Sequence, residues 1–210
     1  ITGADIVYAS SYPSIALRYM IQTGACEVLH NSPVTITPTI IPFSFEDRKW
    51  KRAVPDEASH AIRTWARKGF RVLVLYNKTD SASVRDARTR RLGKQATKHI
   101  YIGTTALLSD PMLLQADRVV WLFPEFGMRA YDYRSTERAR ILAARLQHIT
   151  PKSKLLIATR HADMANNVFG ASEEEFTKTV LDERSRLYLP PYADLVRLTI
   201  RDKDDKKSRQ

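Results

Sequence analysis

One cysteine, Cys26, stands among the 210 residues. That excludes an intrachain disulfide and a cysteine-built zinc site, and it fits a reducing cytoplasm. No apolar run approaches the ~18 residues that cross a bilayer, and no secretory leader is visible. Only seven glycines occur, and they are scattered. None falls in the G-x-x-x-x-G-K-S/T pattern, in which a glycine-permitted backbone and a lysine cradle phosphates. A G-x-S-x-G nucleophile elbow is also missing; Ser10 and Ser11 follow a strand-like run without that frame. The five histidines, His30, His60, His99, His148 and His161, lie far apart without ligand spacing, so no metal ligand is assigned. The acidic pairs Asp56-Glu57 and Asp182-Glu183 fall on expected helices and read as surface charge rather than a magnesium site.

Acidic residues are in the minority. Lys and Arg outnumber Asp and Glu 34 to 23, a formal charge of +11. Such an excess suits a polyanionic partner, nucleic acid before membrane, against the plainer reading of a generally basic surface. The apolar fraction of 43% supports a real core, and the charged fraction of 27% is that of a globular chain. The chain opens on Ile1 and runs straight into strand-like ADIVYAS, which reads as a piece of a longer protein.

Patterning alternates strand and helix. DIVYAS (5–10) and CEVLH (26–30) read as short strands, and PSIALRYMIQTG (13–24) as a helix with a glycine stop. Residues 31–45 read as an extended connector with an edge strand. Pro55-Asp56-Glu57 reads as a helix first turn, with Ala58, Ile62 and Trp65 on one face and Gly69 at the end. Strands are expected at 71–77, 99–104, 116–123 and 153–159, the first apolar enough for a buried parallel sheet. A helix is expected over 134–149, with Ala139, Leu142, Leu146 and Ile149 on one stripe. Ser172 and Glu175 form a capping box for a helix running to about Leu187, stopped by Pro190-Pro191. LVRLTIR (195–201) alternates like a last strand. The expected fold is α/β: a three-layer RecA-like lobe with a mainly parallel sheet flanked by helices. It spans 1–190, with 191–210 the start of a C-terminal extension and a frayed tail. Trp50, Trp65 and Trp121 read as packing residues.

Two stretches carry charge worth weighing. Residues 79–98 hold six basic and two acidic side chains. Arg85, Arg88, Arg90 and Arg91 there are either a solvated face or a track for a phosphate backbone. DYRSTER (132–138) opens the helix that continues through ILAARLQHI. Asp132 or Ser135 can cap it, and Glu137 suits the positive dipole end. Arg134, Arg138 and Arg145 project from roughly one side. They contact phosphate or DNA, or Arg134 and Arg138 pair with Glu125, Asp132 or Glu137 to fix the preceding loop, or they are a relict with neither role. Gly103-Thr104, at a strand end, offers N–H and hydroxyl donors to a phosphate; otherwise it is a capped strand-to-helix turn.

The order of these segments resembles the second RecA-like lobe of the PriA family of primosomal helicases. VYASSYPS (7–14) resembles the family's G-S-A-T-P-S link between lobes. KGFRVLVLYNKT (68–79) is similar to its strand ending in Asn-Arg-Arg, and IYIGTTALL (100–108) to its I-G-T-Q-M segment. DYRSTER is similar to D-F-R-A-x-E-R, and ERSRLYLPPYADLVRLTI (183–200) to the E-R-x-x-x-x-P-P-F run. DYRSTER and the Pro-Pro run are the most specific. The resemblance implies nucleic-acid contact at Asn77, Lys78, Arg85, Arg88, Arg90, Arg91, Gly103 and Thr104. It implies an interdomain, nucleotide-facing surface at Arg134, Glu137, Arg138 and Arg145.

The chain departs from the family in three places. Residues 79–98 replace a cysteine-rich zinc insertion, so no metal is carried over. Ser109 and Asp110 stand where the family has lysine and glycine. RLQHITPK (145–152) replaces Q-V-A-G-R-A-G-R, and with it the arginines that reach the γ-phosphate; such a residue supplies about 10³–10⁵ in rate. Lys152 lacks the forked geometry to substitute. The implied function is a DNA-binding helicase lobe in replication or replication restart, with no ATPase of its own. ATP and Mg²⁺ enter only with an upstream lobe in the same chain. The expected partners are single-stranded or forked DNA and replisome proteins, with no membrane. The alternative is a non-catalytic module docking a replisome partner. An unrelated Rossmann-like enzyme is disfavoured by the missing glycine-rich loop.

Overall fold

β-Branched and leucine side chains build the central strands, and every residue of Val72–Leu75 is buried. In the computed structural model, residues 14–25, 36–42, 54–76, 99–109, 116–128, 132–149 and 154–196 are described. Five strands form one sheet: β1 (Thr39–Pro42), β2 (Val72–Leu75), β3 (Ile100–Gly103), β4 (Arg118–Leu122) and β5 (Lys154–Thr159), in the order β1-β5-β4-β2-β3. All four pairings are parallel. The expected mainly parallel sheet is thus wholly parallel among the described residues, and the edge strand expected in 31–45 is β1. The strands expected at 5–10 and 26–30 lie outside the described residues. Residues 195–196, the described start of the last expected strand, form none.

Six helices accompany the described strands: α1 (Ile15–Gln22), α2 (Asp56–Arg67), α3 (Glu125–Met128), α4 (Ser135–Ile149), α5 (Ala162–Ala165) and α6 (Glu173–Arg186). A 3₁₀ turn covers Thr105–Ser109, and a π turn over Asn166–Gly170 continues α5. Handedness distributes them. The chain moves one way along the sheet from β1 to β2 and the other way from β4 to β5. Right-handed crossovers therefore put α2 and α4 on opposite faces. Under α2, Val54, Ala58, Ile62 and Ala66 pack on Val72, Val74, Val120, Leu122, Leu156 and Ala158. On the other face, Leu73, Leu75, Val119, Trp121, Leu155 and Ile157 meet Ile15 of α1, Ala143 and Leu146 of α4, Phe169, and Phe176 and Val180 of α6. The period-2 alternation of a strand sends successive residues to the two cores. The result is a three-layer α/β arrangement, consistent with a RecA-like lobe. Trp121 is buried against Phe169, ring centroids 5.6 Å apart. Trp65 is half-buried against the α2-side core; Trp50 lies outside the described residues.

Local chemistry fixes the helix ends. Ser14 Oγ accepts from the Leu17 amide to start α1. Pro55 is the residue before α2 rather than within it, and Asp56 and Glu57 fill the first turn. Gly69 follows α2 at φ +82°, a conformation glycine adopts without penalty. The capping box of α6 is complete: Ser172 Oγ accepts from the Glu175 amide, and Glu175 Oε2 accepts from the Ser172 amide. The Ser172 amide first, and the Ser172 side chain second, hold the Glu175 carboxyl below its ordinary pKa.

Candidate nucleic-acid interface

Because the strands are parallel, their carboxyl ends and the segments that follow share one rim. Chain direction reverses there between β2 and β4, the position where open α/β sheets place ligands. The rim holds Tyr76 after β2, Gly103-Thr104 after β3, DYRSTER after β4, and Thr159-Arg160 after β5. Three residues past β4, Glu125 is buried and accepts from Thr159 Oγ1 (3.0 Å) and the Arg160 amide (3.1 Å). Phe123, also buried, takes φ 57°, a conformation a non-glycine side chain adopts at a cost. These contacts clamp the ends of β4 and β5 together.

DYRSTER divides its charges between inside and outside. Glu137 is 2% exposed. Its Oε1 accepts from the Ile15 amide at 2.9 Å, and its Oε2 accepts from Arg184 Nη2 at 2.9 Å. Arg184, on the buried stripe of α6, also donates from Nη1 to the Pro190 carbonyl (3.4 Å) and lies over the Tyr133 ring at 4.9 Å. One carboxylate thus ties the starts of α1 and α4 to the end of α6. Arg140 is buried too. Its Nη1 and Nη2 donate to the carbonyls of Val168 (2.5 Å) and Ala171 (3.0 Å), with the guanidinium 4.6 Å from the Phe176 ring centroid.

Three other arginines, Arg134 just before α4 and Arg138 and Arg145 within it, face outward. Arg134 is 44% exposed, with Nε 3.7 Å from Glu137. Arg138 is 65% exposed and pairs through Nη1 with Asp132 at 2.8 Å. Arg145 is exposed. Helical angles set all three on one stripe, opposite Ala139 and Ala143. Arg145 sits ten residues into α4, about 15 Å along the helix from the rim residues. The Asp132 Oδ1 accepts from the Arg134 amide, whereas Ser135 Oγ donates to the Met128 carbonyl instead of capping α4.

The structure therefore brings Gly103, Thr104, Arg134, Glu137 and Arg138 to one rim, sets Arg145 apart, and buries Glu137 beneath the surface. At Thr104 the hydroxyl accepts from the Ala106 amide, the capped-turn arrangement. A Cβ at Gly103 would meet Leu107 Cγ at 2.7 Å, so any larger residue there would force the Leu107 side chain to shift. Asn77, Lys78, Arg85, Arg88, Arg90 and Arg91 lie outside the described residues.

Sequence reasoning missed Arg184 and Arg140. Arg184 had a signal: it extends the Phe176–Val180 spacing, placing a cation where the pattern calls for an apolar group. Arg140 sits among alanines with no such cue. Among the described residues, no group of three or more His, Cys, Asp or Glu could hold a metal ion, and no helix is long and apolar enough to cross a membrane. No family model matches the sequence, and no curated protein matches it.

Proposed function

We propose that this chain is a DNA-binding, PriA-like helicase lobe serving DNA replication or replication restart, without ATP turnover on its own. The observation that carries the reading is the sorting of charge on α4. The groups that hold the fold, Glu137 and Arg140, turn inward, and Arg134, Arg138 and Arg145 line an outward stripe that begins at the rim formed by the carboxyl ends of the parallel strands. Guanidinium groups suit phosphate because they present forked N–H donors and keep their charge. The net charge of +11 adds long-range attraction for a polyanion. ATP and Mg²⁺ would require an upstream lobe with its own phosphate loop, since the sequence supplies none here.

The test is a fluorescence-anisotropy titration of the chain with labelled single-stranded and forked DNA at rising salt. Binding at low salt that weakens steeply as salt rises is the expected result. Negligible affinity at low salt overturns the reading. It would favour the second one, a non-catalytic module docking a replisome protein. That alternative draws on the exposed apolar residues beyond α6: Leu187 (59%), Tyr188 (77%), Leu195 (54%) and Val196 (83%).

A further inference from the structure

Tyr133 is a large aromatic side chain left 36% exposed in the middle of the charged segment. Its backbone is set by a tight turn. Asp132 accepts through Oδ1 from the Arg134 amide and through its carbonyl from the Ser135 amide, both at 2.9 Å. One side of the ring is occupied by the Arg184 guanidinium, 4.9 Å from the centroid. Arg184 itself is 4% exposed and fixed by Glu137. The ring is therefore backed by an immobilised cation, and its solvent-reached area lies on the outer face and edge. Arg134 follows it directly, and Arg138 lies one helical turn on, both well exposed.

A planar group held from behind, with cations beside it, is the arrangement that receives an unpaired base and its phosphates. Stacking asks only for a π-face, so every base qualifies, and arginine charge follows the backbone. A paired duplex hides its base faces and cannot use such a platform. Resting on the DNA-binding reading above, we infer that Tyr133 is a base-stacking platform that makes the rim selective for single-stranded over duplex DNA, with Arg134 and Arg138 on the adjoining phosphates. Arg184 is the positioning residue: it acts through the ring and touches no DNA.

The experiment compares wild type, Tyr133→Phe and Tyr133→Leu in the full chain. Affinities are measured for a labelled oligo-deoxythymidylate and for a blunt mixed-sequence duplex of equal length, each at several salt concentrations. A lost base stack, worth about 1–3 kcal/mol, corresponds to a loss of roughly 5- to 150-fold. Tyr133→Leu should lose that much for the single strand and less than about twofold for the duplex, with its salt slope unchanged. Tyr133→Phe should retain wild-type affinity. Thermal melting of each variant reports folding. Should Tyr133→Leu fail to fold, wild-type protein irradiated on a 5-iodouracil-containing single strand gives the result. A cross-link on the peptide holding Tyr133 supports the inference, and its absence overturns it. Equal losses for strand and duplex, or no loss, overturn the platform and leave the DNA-binding reading standing. Failure of wild type to bind either DNA removes both.

Discussion

Glu137 is the residue on which three chain segments depend. Its carboxylate is buried with Arg184, at 2% and 4% exposure, and removing one partner strands the other charge away from water. Breaking such a pair costs about 3–5 kcal/mol. Glu137→Gln and Arg184→Met should each lower the unfolding free energy measured in urea by that order, whereas Arg145→Gln should stay within about 0.5 kcal/mol of wild type, as surface substitutions do. If the two shifts add in the double variant, the residues do not act as a pair; a double variant close to either single one is the expected outcome. The sequence showed that Glu137 belongs at a helix start, but not that it serves α1 and α6. Ile15 and Arg184 lie 122 and 47 residues from it, and no local pattern encodes such separations. The same holds for Arg140, whose carbonyl partners are Val168 in the π turn after α5 and Ala171 just beyond it, a stretch with no recognisable periodicity. Replacing Arg140 with Met should destabilise less than Arg140→Ala, because the buried side chain fills core volume in addition to donating hydrogen bonds from its guanidinium.

At the scale of elements, legibility followed the strength of the local signal. β2 and α2 were readable because an unbroken apolar run and a 3.6-residue stripe leave little choice. The start of α6 was readable because its reciprocal cap is written in two residues, Ser172 and Glu175. The short α3 and α5 were not readable: four residues cannot display a helical period. The end of α6 was placed by Pro190-Pro191, yet the turn that closes it uses Tyr188 at φ 51°, where glycine would be expected. The α6 cap also predicts a pH response. Hydrogen bonds from Ser172 lower the folded pKa of Glu175, so its charged form is favoured by folding. That contribution is complete above the unfolded glutamate value of about 4.3 and is lost as pH falls through the lower folded value. Thermal melts of wild type and Glu175→Gln should differ near neutrality and converge as pH falls through the lowered folded value; a gap that widens in acid contradicts the sign.

For the whole molecule, the all-parallel order matters more than any single contact, since it brings loops distant in sequence to one rim. The strand-helix alternation made a parallel sheet legible, but the order β1-β5-β4-β2-β3 was not, because pairing partners depend on which crossovers pack and not on local composition. The outward stripe of α4 was legible from spacing alone. Its inward clamp was not, so buried and exposed cations looked alike in sequence. The distinction has a measurable consequence. Each phosphate neutralised by a cation adds about 0.7 to the magnitude of the salt slope on single-stranded DNA. Replacing Arg134 and Arg138 with Gln should lower that slope by about 1.4, and adding Arg145→Gln by a further 0.7 only if the strand runs the ~15 Å down α4 from the rim. A triple variant with the same slope as the double one would confine the strand to the rim. A double variant with the wild-type slope would mean that these two arginines touch no phosphate, leaving their pairs with Glu137 and Asp132 as the contacts assigned to them among the described residues.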